Sequence, residues 1–132
     1  MLTPLEKAIV WAIDVGFLVY WTLIIANLLP PEVMFDGYEL PEVQAWNWSF
    51  LPLDVLASVT GIVGQTSKRL NRTVMLTISL VLTSCSGGMA IAYWAFLGDF
   101  QIAWWLPNLV LLIFPLIPLI RFARRRSNGA DH

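Results

Sequence analysis

Two aspartates stand inside apolar sequence: Asp14 in WAIDVGFLVYW and Asp54 in FLPLDVLAS, with no lysine or arginine in either stretch. An ionisable group among apolar side chains is costly, so each needs a reason to be there. One reason is structural, since a carboxyl that accepts from an indole, a serine or an asparagine of a neighbouring helix ties the two together. The other is chemical. A low-dielectric site favours the neutral acid, which can donate a proton near neutrality or bind a cationic ligand once ionised. Metal and haem chemistry have no raw material, because His132 and Cys85 are the one histidine and the one cysteine. No cofactor is expected.

The elements that must position these acids follow from composition. Of 132 residues, 58% are hydrophobic and 13% charged, far from the roughly half apolar and quarter charged balance of soluble domains. The chain reads as an all-α polytopic membrane protein, and nucleic acid is an unfavoured partner. A bilayer core of about 30 Å takes roughly 20 apolar residues per helix. Four stretches approach that length, 8–29, 49–66, 73–96 and 103–121, so a four-transmembrane-helix bundle is expected within a single domain over 1–126. Residues 127–132 read as a disordered C-terminal tail. The apolar stretch from Ala8 to Leu29 is too long for a signal-peptide core and reads as a retained first helix.

Orientation follows from charge. Lys7, the trio Lys68, Arg69 and Arg72, and Arg121, Arg124, Arg125 and Arg126 make up all eight bases. The loop from Pro30 to Asn47 and the turn at Asp99 hold none, so both termini are expected in the cytoplasm. Trp46, Trp48, Trp94, Trp104 and Trp105 form an aromatic belt at the opposite face. The implied location is the cell membrane, as a multi-pass protein of a bacterial inner membrane, with lipids as partners.

Depth sorts the polar residues. At a rise of 1.5 Å per residue, Asp14 lies roughly 7 Å to the cytoplasmic side of its helix centre and Asp54 roughly 6 Å to the outer side of its own. Asn108 falls level with Asp54, and Tyr93 lies a turn or more above. The expected ligand-binding residues are therefore Asp54, Asn108, Tyr93 and Trp48, with Asp14 as a deeper acid serving packing more than chemistry. The small-residue run TSCSGGMA, 83–90, either packs helices closely or leaves room for a ligand. Pro52, Pro107, Pro115 and Pro118 free backbone carbonyls that need partners.

The stretches DVGFLVYW, WNWSFLPLDVLASVTG, CSGGMAIAYWA and GDFQIAWWLPNLVLLIFPL resemble the YvaD-like family of small bacterial four-helix membrane proteins. That resemblance carries no assigned activity. A second likeness rests on the proline-rich segment after the first helix, on SF followed by an acid in the second, and on PNLVLLIFP in the fourth. These are similar to the emopamil-binding and sigma-2-receptor-like (EXPERA) membrane proteins, which implies a central cavity for amphipathic amines or sterols, with Asp54 at the acidic position. Neither the first-helix acid nor the sterol-isomerase histidine of that group has a counterpart here.

Three functions are consistent with these readings. The first is a bundle that binds a lipid-like or cationic amphipathic small molecule in an intrabundle cavity anchored by Asp54, with acid-catalysed isomerisation as its enzymatic version. The second is a small proton-coupled exporter, suggested by the acid early in the first helix. The third is a non-catalytic accessory subunit of a membrane complex.

Overall fold

A computed structural model describes residues 1–130, which contain helices and no strand. The first helix, α1, spans Pro4–Ile25. Its start is a capping box: Thr3 Oγ1 accepts from the Glu6 amide at 3.2 Å while Glu6 Oε2 accepts from the Thr3 amide at 2.8 Å. It ends four residues before the expected 29, because Asn27 takes a left-handed conformation at φ 55° and turns the chain. A short 3-10 turn, Pro31–Val33, leads into the loop before the second helix, named the outer loop here for the side it is expected to face.

The second helix, α2, runs Pro41–Thr66 and begins eight residues earlier than the span expected at 49. Pro41, at the first helical position, is preset for a helix start, and Glu42 suits the positive end of the helix dipole. Pro52 lies inside α2 without ending it. The third helix, α3, spans Arg72–Leu97 between an Asn71 cap, whose Oδ1 accepts from the Val74 amide at 3.1 Å, and left-handed Gly98. The expected fourth helix is two segments, α4 over Ile102–Ile113 and α5 over Leu116–Ala130. Pro115 and Pro118 lack amide donors, and the Leu112 carbonyl beside the break accepts from the Ser84 hydroxyl at 2.8 Å. Of the tail expected over 127–132, residues 127–130 belong to α5, and 131 and 132 lie outside the described residues.

Three stretches are long and apolar enough to cross a membrane: Pro4–Ile25, Arg72–Leu97 and Ile102–Arg125. The remaining long helix, α2, has the length, about 39 Å at 1.5 Å per residue, but a more polar composition. The reason is its place. It packs against both α1 and α3, so its Asn47, Asp54 and Ser58 are buried.

Polarity is arranged inside out relative to a soluble protein. Val15, Val19, Leu56, Val81, Leu106 and Val110 face outward, as a lipid-facing surface requires. Asp14, Ser58, Ser79, Thr83 and Ser86 are buried. On α3 the buried positions 79, 83, 86, 90 and 94 recur at helical spacing, so a single face turns hydroxyls toward α1 and α2. Close approach on the neighbouring face depends on Gly87, where a side chain would run into the α4 backbone at Asn108 and Leu112. The small-residue run therefore packs α3 on α4.

At one end of the bundle Leu2 and Val10 pack with Leu76 and Leu80 and with Phe114, Leu119 and Phe122. An ion pair between Glu6 and Arg121 covers that cluster, with Arg121 Nη1 donating to Glu6 Oε1 at 2.9 Å. The Thr73 hydroxyl donates to Met1 Sδ at 3.5 Å, which places the starts of α1 and α3 at this same end.

Candidate functional site

The half of the bundle away from the ion pair holds a partly open cavity of about 160 Å³. Its walls come from four of the five helices, with Phe17, Tyr20 and Trp21 from α1, Asn47 and Asp54 from α2, Ser86 and Ala90 from α3, and Pro107, Asn108 and Leu111 from α4. Spacing explains the convergence. Positions 14, 17 and 21 share one face of α1, and 47, 50 and 54 share one face of α2.

Asp54 is 4% exposed and holds three helices together. Trp21 Nε1 of α1 donates to Oδ2 at 2.9 Å, and Ser86 Oγ of α3 donates to Oδ1 at 2.6 Å. Above it, the Tyr20 hydroxyl donates to Asn47 Oδ1 at 2.8 Å, while Asn47 Nδ2 is buried without a partner. Asn108 lines the α4 side and donates back to the Trp104 carbonyl at 2.7 Å. Phe35 from the loop between α1 and α2 also lines it, its ring centroid 5.3 Å from both Trp94 and Trp104.

The other residues expected at the site are placed elsewhere. Tyr93 stacks on Trp46 at 4.1 Å and braces the aromatic wall from outside the cavity lining. Trp48 is 42% exposed and leans on the far side of Trp21 at 5.6 Å, in the position of a lipid-facing belt residue. Asp14 lies in the opposite half, against a crevice too tight for one water molecule, with neither carboxyl oxygen hydrogen-bonded. The Ser58 hydroxyl reaches only the Asp14 backbone carbonyl, at 3.0 Å.

Sequence reasoning did not single out Asn47, Tyr20, Trp21 or Ser86 for this cavity. The seven-residue step from Asn47 to Asp54 was the available signal, since it puts both on one face of a helix two turns apart.

The sequence matches a family of unknown function, DUF5360, across residues 6–128. The chain belongs to that family. The uncharacterized protein YvaD of Bacillus subtilis (strain 168) is 47% identical over 106 residues, spanning 78% of this chain and 80% of the relative. The YvaD-like resemblance is thereby established, whereas the comparisons lend no support to the EXPERA likeness. No solved structure matches the chain.

Volume limits what the cavity accepts. A 150 Å³ cavity holds a single aromatic ring, and drug-sized ligands occupy about 300–1,000 Å³. At about 160 Å³ this cavity suits one ring or a short hydrocarbon chain.

Proposed function

We propose that this integral membrane protein crosses the bilayer four times, with both termini in the cytoplasm, and holds a small lipid-like or amphipathic molecule in the cavity beside Asp54. The observation that carries the binding reading is the coexistence, in one concave space, of a mostly aromatic wall and a few ordered polar groups, the usual make-up of a ligand pocket. Phe35, Trp94 and Trp104 pack together along one side of that wall.

The exporter reading is less well supported. Its acid, Asp14, is walled off from the cavity and from any space that a substrate would occupy. For topology, the ion pair and the contact from Thr73 to Met1 gather the starts of α1 and α3 at the end of the bundle that holds Arg121, in keeping with the charge bias. Labelling Gly37→Cys and Asn71→Cys, each in a Cys85→Ser background, should modify the first from outside and the second from inside. Equal labelling of both from either side refutes the orientation.

Binding is tested with 4-fluorotoluene, observed by fluorine NMR on the protein in lipid nanodiscs. Saturable binding is expected, and Ala90→Leu, which extends a side chain into the cavity, should weaken it at least tenfold while the thermal unfolding midpoint stays close to that of the parent. Absence of saturable binding to the parent protein, or undiminished binding to Ala90→Leu, ends the cavity reading.

A further inference from the structure

We infer that the occupant is a neutral molecule whose head is a hydroxyl, and that Asn47, rather than Asp54, is the group that recognises it. The inference rests on the cavity reading above and specifies its ligand.

It follows from counting which polar groups of the cavity still lack a partner. Asp54 already accepts at both oxygens, from Trp21 Nε1 and Ser86 Oγ, and both donors belong to the helices that form the walls. Each oxygen keeps a further lone pair, so Asp54 can accept more, but neither oxygen lacks a partner. Asn47 is different. It is 5% exposed and lines the cavity, its Oδ1 accepts from Tyr20, and its Nδ2 donors meet nothing. A buried donor without an acceptor is an unmet requirement, and an acceptor oxygen arriving with a ligand meets it.

The head can be narrowed further. Rotating the Asn47 amide by 180° hardly changes its shape, and the Tyr20 hydroxyl can serve either end as donor or acceptor. One end of the amide therefore always remains free, as a donor in one orientation and an acceptor in the other. A hydroxyl satisfies both, because it carries one hydrogen and two lone pairs. An ammonium only donates and a ketone only accepts. Beside the head, Phe17, Phe50 and Ala90 offer apolar wall for one ring or a short chain.

Three probes of matched size test this by fluorine NMR in nanodiscs: 4-fluorobenzyl alcohol, 4-fluorobenzylamine and 4-fluorotoluene, each affinity referred to the probe's concentration in the bilayer. The alcohol should bind about tenfold more tightly than fluorotoluene, the worth of one well-made hydrogen bond, and more tightly than the amine. Asn47→Leu should abolish that preference while fluorotoluene still binds, which shows that the bundle is folded; Asn47→Ala, with a smaller side chain, should do the same. If the amine binds more tightly than the alcohol, or the preference for alcohol survives in both Asn47 variants, the inference is overturned. Fluorotoluene binding with no preference for the alcohol sinks the inference and leaves the cavity standing. Failure of all three probes removes both.

Discussion

The two halves of this bundle each bury one aspartate, and they treat it in opposite ways. Asp54 has two donors from two other helices and an open space beside it. Asp14 has no partner for either oxygen and no space for a water molecule. Burial by itself therefore does not mark a binding acid. What separates the two is whether the surrounding helices bring donors to the carboxyl and leave a void next to it, and that is decided by α1, which presents Trp21 in one half and Asp14 itself in the other.

The sharpest way to break the comparison is to remove Asp54. Asp54→Leu leaves the Trp21 indole and the Ser86 hydroxyl without their acceptor. Two unpaired donors at about 1–2 kcal/mol each give a loss of about 2–4 kcal/mol. Asp54→Asn keeps one acceptor oxygen and should cost about half as much. Reversible unfolding in mixed micelles measures both. If Asp54→Leu is as stable as the parent, the carboxyl does not tie the helices and the contrast between the halves disappears.

A smaller effect probes the other half. Gly61 of α2 lies against Asp14, and a Cβ there would collide with the Asp14 carboxyl and crowd Ser79 Oγ. The crevice gives the carboxyl nowhere to move, so Gly61→Ala should cost about 1–3 kcal/mol as an overpacked site. Asp14→Ala alone should change stability by less than about 1 kcal/mol, because the lost packing is offset by removal of a buried group without partners. In the double variant the penalty of Gly61→Ala should shrink by about 1 kcal/mol or more, a coupling that a double-mutant cycle reads directly. Additive costs would mean that Asp14 is free to move.

Much of this was legible in the sequence and some was not, for definable reasons. The helices follow from apolar length and ordinary punctuation, and α3 begins and ends within a residue of the expected 73–96 because an Asn cap and a Gly stop flank it. The start of α2 was missed, since its first two turns are polar and interfacial and carry no hydropathy signal. The interior position of Asp54 was expected from the cost of placing an acid in hydrocarbon. Its partners were not, because which indole of seven reaches it depends on how α1 rotates against α2. Tyr93 and Trp48 were placed at the site by depth alone. Depth fixes height along a helix, but the direction a residue faces around the axis decides whether it enters the cavity, and both of these sit off the inward face.

The smallest expected effect concerns the two ends of the molecule. The end that carries Glu6 and Arg121 is closed by opposite charges, whereas the outer end brings two acids together, Asp36 of the loop and Asp99 of the turn between α3 and α4. Partial desolvation, and then the adjacent Asp36 carboxyl, hold the Asp99 pKa above the ordinary carboxylate value. An acid that binds its proton more tightly in the folded state contributes stability while protonated. That contribution is present in acid and is lost as pH rises through the ordinary carboxylate range toward the raised folded value. The outer loop should therefore sit more firmly on the turn at acid pH and loosen toward neutrality, while the ion pair at the other end strengthens as Glu6 ionises. Trp105 reports on the outer end, because its Nε1 donates to the Asp99 carbonyl at 2.7 Å. Its indole N–H chemical shift should titrate at a pH above the ordinary aspartate value in the parent protein. In Asp36→Asn, which removes the second charge, the titration should move downward. A titration unaffected by Asp36→Asn would show that the two acids do not share a proton, and would leave the outer end with no charge device to set against the ion pair.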